Sequence, residues 1–125
     1  MRTSMAREIV ERRRFPRYKV STSAQLEMAD GSFPVSVEEM SIEGLKIRSV
    51  RSVVPETYVS IRINMGRDIV FHGQVVWTMN KLIGKEYMYQ MGLHIDAILD
   101  KGKDKIGIAE REILIQDLLV IIKRV

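Results

Sequence analysis

From Val20 onward apolar side chains recur at every second position, and a run of period two is satisfied by a strand that buries one face. Val20, Thr22, Ala24, Leu26 and Met28 form one such run, and Val59, Ile61, Ile63 and Met65 form another. Ile69, Phe71, Val75 and Trp77 share a face of the next, with His72, Gln74 and Thr78 opposite; Tyr87, Tyr89, Met91, Leu93 and Ile95 repeat it. Between them lie turn signals, "ADGS" at 29–32 and "MGRD" at 65–68, and "NKLIGKE" at 80–86 is expected to be a loop. Pro34 to Met40 returns as a further strand, and Gly44 marks a turn before Leu45 and Ile47 resume the alternation. Six or so antiparallel strands with one apolar face predict a small barrel or sandwich, because closing the sheet buries that face and removes exposed edges.

The period changes near the C-terminus. "IAEREILIQDLLVIIKRV" places Glu110, Asp117 and Arg124 in line, with Ile115, Leu118, Leu119 and Ile122 on another side, which predicts an amphipathic helix closing the chain. Its last turns are apolar almost all round. The surplus at Val120 and Ile121 fits either a homodimer through this helix or a broad groove in the same barrel. A length of 125 residues with 46% hydrophobic content supports one core, so residues 1–10 are read as a lead-in and residues 11–125 as a single domain. With no cysteine, no signal-like stretch and no apolar run of spanning length, the expectation is a cytoplasmic protein without a membrane span.

Charge is unevenly spread. Residues 1–25 carry seven Lys/Arg against two Glu, or +5, whereas the whole chain carries +4, so the remainder is near −1. Such a concentration attracts a phosphate-bearing partner. Catalysis finds little support: His72 and His94 lack ligand spacing for a metal, and Ser41 and Ser60 have no base nearby in sequence. A binding module without enzymatic activity or cofactor is expected. Single-stranded nucleic acid is disfavoured, because the aromatics are few and mostly in the core phase.

Arg13 and Arg17 lie four apart on a segment that Pro16 keeps out of a helix, and two guanidiniums so placed can engage phosphate or the guanine edge. In "EEMSIEG", Glu39 and Ser41 alternate onto one side of a strand end and Gly44 allows close backbone approach. Together these stretches resemble the PilZ domain family: "ERRRFPR" is similar to its Arg-x-x-x-Arg motif, and "EMSIEG" to its Asp/Asn-x-Ser-x-x-Gly motif. "GQVVW", "MGLHI" and the closing helix extend the resemblance from about Glu11 to the end.

The resemblance implies a six-stranded antiparallel β-barrel with a C-terminal α-helix that binds the bacterial second messenger cyclic di-GMP and signals to an unidentified protein partner. Carried over, Arg13 and Arg17 form the clamp, Arg12 assists, Ser41 makes a hydrogen bond, and Gly44 permits close approach. Trp77 borders the ligand as an aromatic does in some members, although its phase with Phe71 and Val75 places it in the core. Glu39 departs from the motif. It keeps an acceptor for guanine N–H groups but is one methylene longer, and straining one such contact costs about 1–3 kcal/mol. Glu38 adds negative charge unless Arg48 or Arg51 offsets it. The alternative is a degenerate adaptor that works by protein contact and binds no nucleotide.

Overall fold

The computed structural model describes residues 15–101 and 103–124. The lead-in and the arginines at positions 12 and 13 lie outside the described residues. Among the described residues, seven strands and one helix follow in order: β1 (Tyr18–Met28), β2 (Gly31–Met40), β3 (Gly44–Ser49), β4 (Tyr58–Asn64), β5 (Asp68–Ile83), β6 (Glu86–Asp100), β7 (Asp104–Lys105) and α1 (Ile108–Arg124). The sheet order is β3-β2-β1-β4-β5-β6-β7, and β3 also pairs with β6. Six antiparallel strands therefore close into a ring, the expected barrel, with the short β7 added outside it.

Alternation decides which side chains enter. Leu26, Val37, Ile47, Ile61, Ile63, Val75, Met91 and Ile98 are completely buried. A stripe of α1 at positions 111, 114, 115, 118 and 119 joins them, the spacing of one helical face. Its apolar members, Leu114, Ile115, Leu118 and Leu119, belong to the same core as the barrel interior. Ile108, Ile113 and Val120 stay exposed on the helix, while Ile121 is half-buried.

One expectation about the strands needs correction. "NKLIGKE" is mostly strand: β5 continues to Ile83 and pairs with Glu86, leaving only Gly84 and Lys85 as the turn. Gly84 has a φ of 63°, which allows this two-residue reversal where a polar loop was expected. Gly44 ends the turn after β2 and opens β3, as expected, and a Cβ there would lie 2.9 Å from the carbonyl oxygen of Leu93. The missing side chain lets β3 approach β6 and close the ring.

Polar contacts fasten the helix. The Tyr18 hydroxyl donates to Glu112 Oε2 at 2.6 Å, and this hydrogen bond to a carboxylate raises the phenol's pKa. Arg67, in the β4–β5 turn, donates through Nε and Nη2 to both oxygens of Asp100, at 3.2 and 3.0 Å, and through Nη1 to Asp117 of α1 at 3.3 Å. The hydrogen bonds from Arg67 hold the Asp100 carboxyl below its ordinary value of 3.8.

Because the folded carboxyl is the stronger acid, its contribution is complete above the unfolded-state value and disappears as pH falls through the folded value. Asp100→Asn should cost no more than about 1 kcal/mol at neutral pH, as partly exposed pairs do. Urea midpoints for variant and parent should converge as the pH is lowered below the ordinary carboxylate range; a constant difference would refute the assignment.

Candidate ligand pocket

The β2–β3 turn is built by its own serine. Ser41 Oγ accepts hydrogen bonds from the amides of Glu43 (3.2 Å) and Gly44 (3.1 Å), and the Ser41 amide donates to the Gly44 carbonyl at 2.9 Å. Serine suits this place because its short hydroxyl can satisfy backbone groups in a turn. Ser41 is buried, so its first function is to shape the pocket rim.

Beside this turn lies a pocket of about 560 Å³, a volume within the usual range for small-molecule sites. Arg17, Glu39, Ser41, Gly44, Lys46 and Trp77 all line it, together with backbone around Gly92. Thus the structure brings together every described residue that the sequence nominated. Arg12 and Arg13 are not among the described residues, so only the Arg17 end of the proposed clamp is seen.

Strand register organises the floor. Lys19 faces Glu39, Glu39 faces Lys46, Lys46 faces Gly92 and Gly92 faces Trp77, a row crossing β1, β2, β3, β6 and β5 that enters the pocket at Glu39, with Lys19 just outside it. It runs cation, anion, cation, gap, aromatic. Arg17 Nη1 lies 4.0 Å from Glu39 Oε1, so Glu39 has positive groups on several sides. The neighbouring Glu38 is held by Arg48 at 3.3 Å and by Gln90 Nε2 at 2.9 Å. Arg48 therefore supplies the offset to Glu38, whereas Arg51 pairs with Asp30 and lies over the Phe33 ring.

Trp77 corrects the core expectation. The register shifts between Val75 and Trp77, with Val76 as the extra residue, and the bulge ends the inward phase that Phe71 and Val75 share. Val75 is completely buried, yet Trp77 is 39% exposed and lines the pocket. Its indole lies across Gly92: a Cβ there would fall 2.5 Å from Cε2 and 2.9 Å from Cδ1. Glycine is what allows the ring to rest on β6.

The chemistry of these groups is complementary to a nucleotide. A planar ring can stack on a base. Guanidinium and ammonium groups take phosphate oxygens, the first in a fork and the second as a point charge. A carboxylate can accept from the N–H edge of a purine. Lys46 was missed in the sequence. Its signal was its outward phase between Leu45 and Ile47, but only the register places it beside Glu39 and Gly92.

A second missed pair lies elsewhere on the barrel. Ser60 and His72 face each other across β4 and β5, with 2.6 Å between Oγ and Nδ1. They sit on an open surface beside Glu27 and Asp96. Acyl transfer needs donors aimed at a developing oxyanion, and the carboxylates here carry the opposite charge. Among the described residues, no cluster of three or more His, Cys, Asp or Glu could hold a metal. No described helix is long and apolar enough to cross a membrane.

A family model for the PilZ domain matches residues 11–107. The chain belongs to the PilZ domain family. A comparison with curated protein sequences returns no match. Among solved structures, this PilZ domain is similar to MrkH of K. pneumonia in complex with c-di-GMP, with a TM-score of 0.65 and 13% identity over 90% of this chain. The match spans 54% of MrkH, so the chain corresponds to about half of that protein. It is also similar to the PilZ domain of YcgR from Escherichia coli with c-di-GMP, with a TM-score of 0.58 and 17% identity, over 68% of this chain and 78% of that one. At these identities the structural likeness shows the fold, and the family match shows the membership.

Trp77 is the only tryptophan in the chain, so its fluorescence reports on the pocket directly. Gly92→Ala should lift the indole, red-shift its emission and increase acrylamide quenching, with the far-UV circular dichroism retained. Unchanged emission in a folded variant would show that Gly92 does not position the ring.

Proposed function

We propose that this PilZ domain is a non-catalytic receptor for cyclic di-GMP that binds the ligand in the pocket around Trp77 and passes the signal to a partner protein in the bacterial cytoplasm. The observation that carries this reading is the row Glu39–Lys46–Gly92–Trp77 beside Arg17, because it supplies a stacking surface, phosphate-binding cations and a purine-edge acceptor in one place. The c-di-GMP complexes of the structural relatives support the choice of ligand.

In this reading Trp77 stacks on a guanine and Arg17 leaves Glu39 for a ligand phosphate. Lys46 adds charge, and Glu39 accepts from the guanine N–H groups. Arg13, with Arg12 assisting, completes the clamp from the N-terminal side. Ser41 acts mainly by holding the turn, since its oxygen already receives two amides. Ordering an arginine-bearing segment on an anionic ligand is sufficient to change a surface that a partner reads. Exposed Ile108, Ile113 and Val120 support α1 as that surface, for a partner protein or a second copy of the chain.

One observation favours the alternative adaptor. The longer Glu39 reaches toward Arg17 and competes with phosphate for it. Isothermal titration with cyclic di-GMP separates the readings: the receptor should give a micromolar or tighter constant, whereas no heat or millimolar binding would favour the adaptor. Arg17→Ala should weaken binding at least about tenfold, or ~1.4 kcal/mol, and combined replacement of Arg13 and Arg17 should abolish it. Arg2→Ala should change little. Glu39→Asp should tighten binding by about tenfold, and a loss would refute the competition. Size-exclusion chromatography with and without ligand reports whether a second copy joins through α1.

A further inference from the structure

The buried stripe of α1 contains one residue that its apolar pattern does not predict. Arg111 is only 7% exposed, in line with Leu114, Ile115, Leu118 and Leu119. Its Nη1 donates to the carbonyl of Ile42 at 3.1 Å and its Nη2 to the carbonyl of Asp96 at 3.0 Å. The Nε is buried without a hydrogen-bond partner. Among the described residues, none of the ion pairs includes Arg111.

Stability does not account for this choice. A buried cation loses its hydration, and without a countercharge two carbonyls compensate only in part. Its place near the start of α1 also sets it against the positive end of the helix dipole. Hydrophobic residues of similar volume commonly match or improve stability at such positions.

Its partners point to another role. Ile42 lies inside the Ser41–Gly44 turn, whose Ser41, Glu43 and Gly44 line the pocket. Asp96 is the extra residue where β6 slips against β5, two positions from His94, which also lines it. One planar fork thus grips the two segments that form a wall of the pocket, while Arg111 does not itself line it. The grip is shared with a backbone bond, since the Ile95 amide donates to the Glu43 carbonyl at 2.9 Å. Arg111 also lies beyond residues 11–107, the part matched by the family model.

We infer that Arg111 is a positioning residue of the nucleotide pocket: it sets the Ser41–Gly44 turn from behind, adds a buried positive charge behind the site of an anionic ligand, and ties that turn to α1. The inference rests on the cyclic di-GMP reading for its ligand, while the geometry of the turn can be tested without ligand. A guanidinium is suited to the task because its nitrogens point in fixed directions, so two carbonyls are held at a set separation. Any shift of the turn on binding is then delivered to α1 through a rigid group.

The test uses Arg111→Met and Arg111→Lys in the full chain, with urea midpoints, cyclic di-GMP titration and hydrogen exchange read together. Arg111→Met should keep or raise the urea midpoint yet weaken binding at least tenfold, and the Glu43 and Gly44 amides should exchange faster in the free protein. Arg111→Lys retains the charge and one carbonyl bond, so its affinity should fall between those of the parent and Arg111→Met; should Arg111→Met not fold, Arg111→Lys carries the same comparison. Wild-type affinity in either folded variant would overturn the inference, as would a loss of binding in Arg111→Lys no larger than its fall in urea midpoint explains. If the parent itself binds no cyclic di-GMP, the receptor reading fails, and exchange at Glu43 and Gly44 still decides: faster exchange supports Arg111 as the setter of the turn, unchanged exchange overturns it.

Discussion

The pairing of β3 with β6 is the contact on which both core and pocket depend. Gly44 meets His94 and Ser49 meets Tyr89 along this seam, and the approach of Gly44 to the Leu93 carbonyl leaves no room for a Cβ. Without the seam, β3 and β6 would be open edges and the apolar face of the sheet would be wet. With it, the turn after β2 comes to lie beside Trp77 and His94, residues far away in the chain. One steric allowance thus serves the core and the pocket together.

Irregularities in the strands direct side chains that the regular sheet would misplace. Extra residues at Glu38, Val76 and Asp96 interrupt the ladders around the pocket. The slip at Val76 turns Trp77 outward, and the one at Glu38 leaves Glu39 opposite both Lys19 and Lys46. Bulges commonly lie where a strand must both curve and re-aim a side chain. In a closed six-stranded ring the need to curve is strong, so the pocket is sited where curvature is already being made.

Electrostatics around the pocket is mixed in sign. Arg17 and Lys46 oppose Glu39 and Glu43 at its lining, while Arg111 sits behind the turn with no carboxylate partner among the described residues. The helix is joined to the barrel at Tyr18, at Arg67 and at Arg111, and the first of these immediately follows Arg17. The base of the arginine segment and the turn across the pocket therefore share one support. This arrangement gives α1 a mechanical relation to both sides of the pocket.

Much of the fold was legible in the residues. Period-two runs and turn signals depend on neighbours in the chain, so Leu26, Ile61, Ile63 and Met91 were assigned to the interior without knowledge of which strands pair. The arginine and Ser-x-x-Gly motifs, being short and ordered along the chain, likewise marked Arg17, Glu39, Ser41 and Gly44, which share the pocket. Long-range register was not legible, because it arises only when the ring closes. It set Lys46 and Gly92 beside Trp77, paired Ser60 with His72, and gave Gly44 the Leu93 carbonyl as its neighbour. A one-residue slip reverses the facing of every later side chain, so the outward turn of Trp77 was invisible to alternation alone. Local pattern is enough to set the strands, their apolar face and the motifs; which residues meet across the barrel follows only from the closed fold, because it depends on bulges and closure rather than on neighbours in the chain.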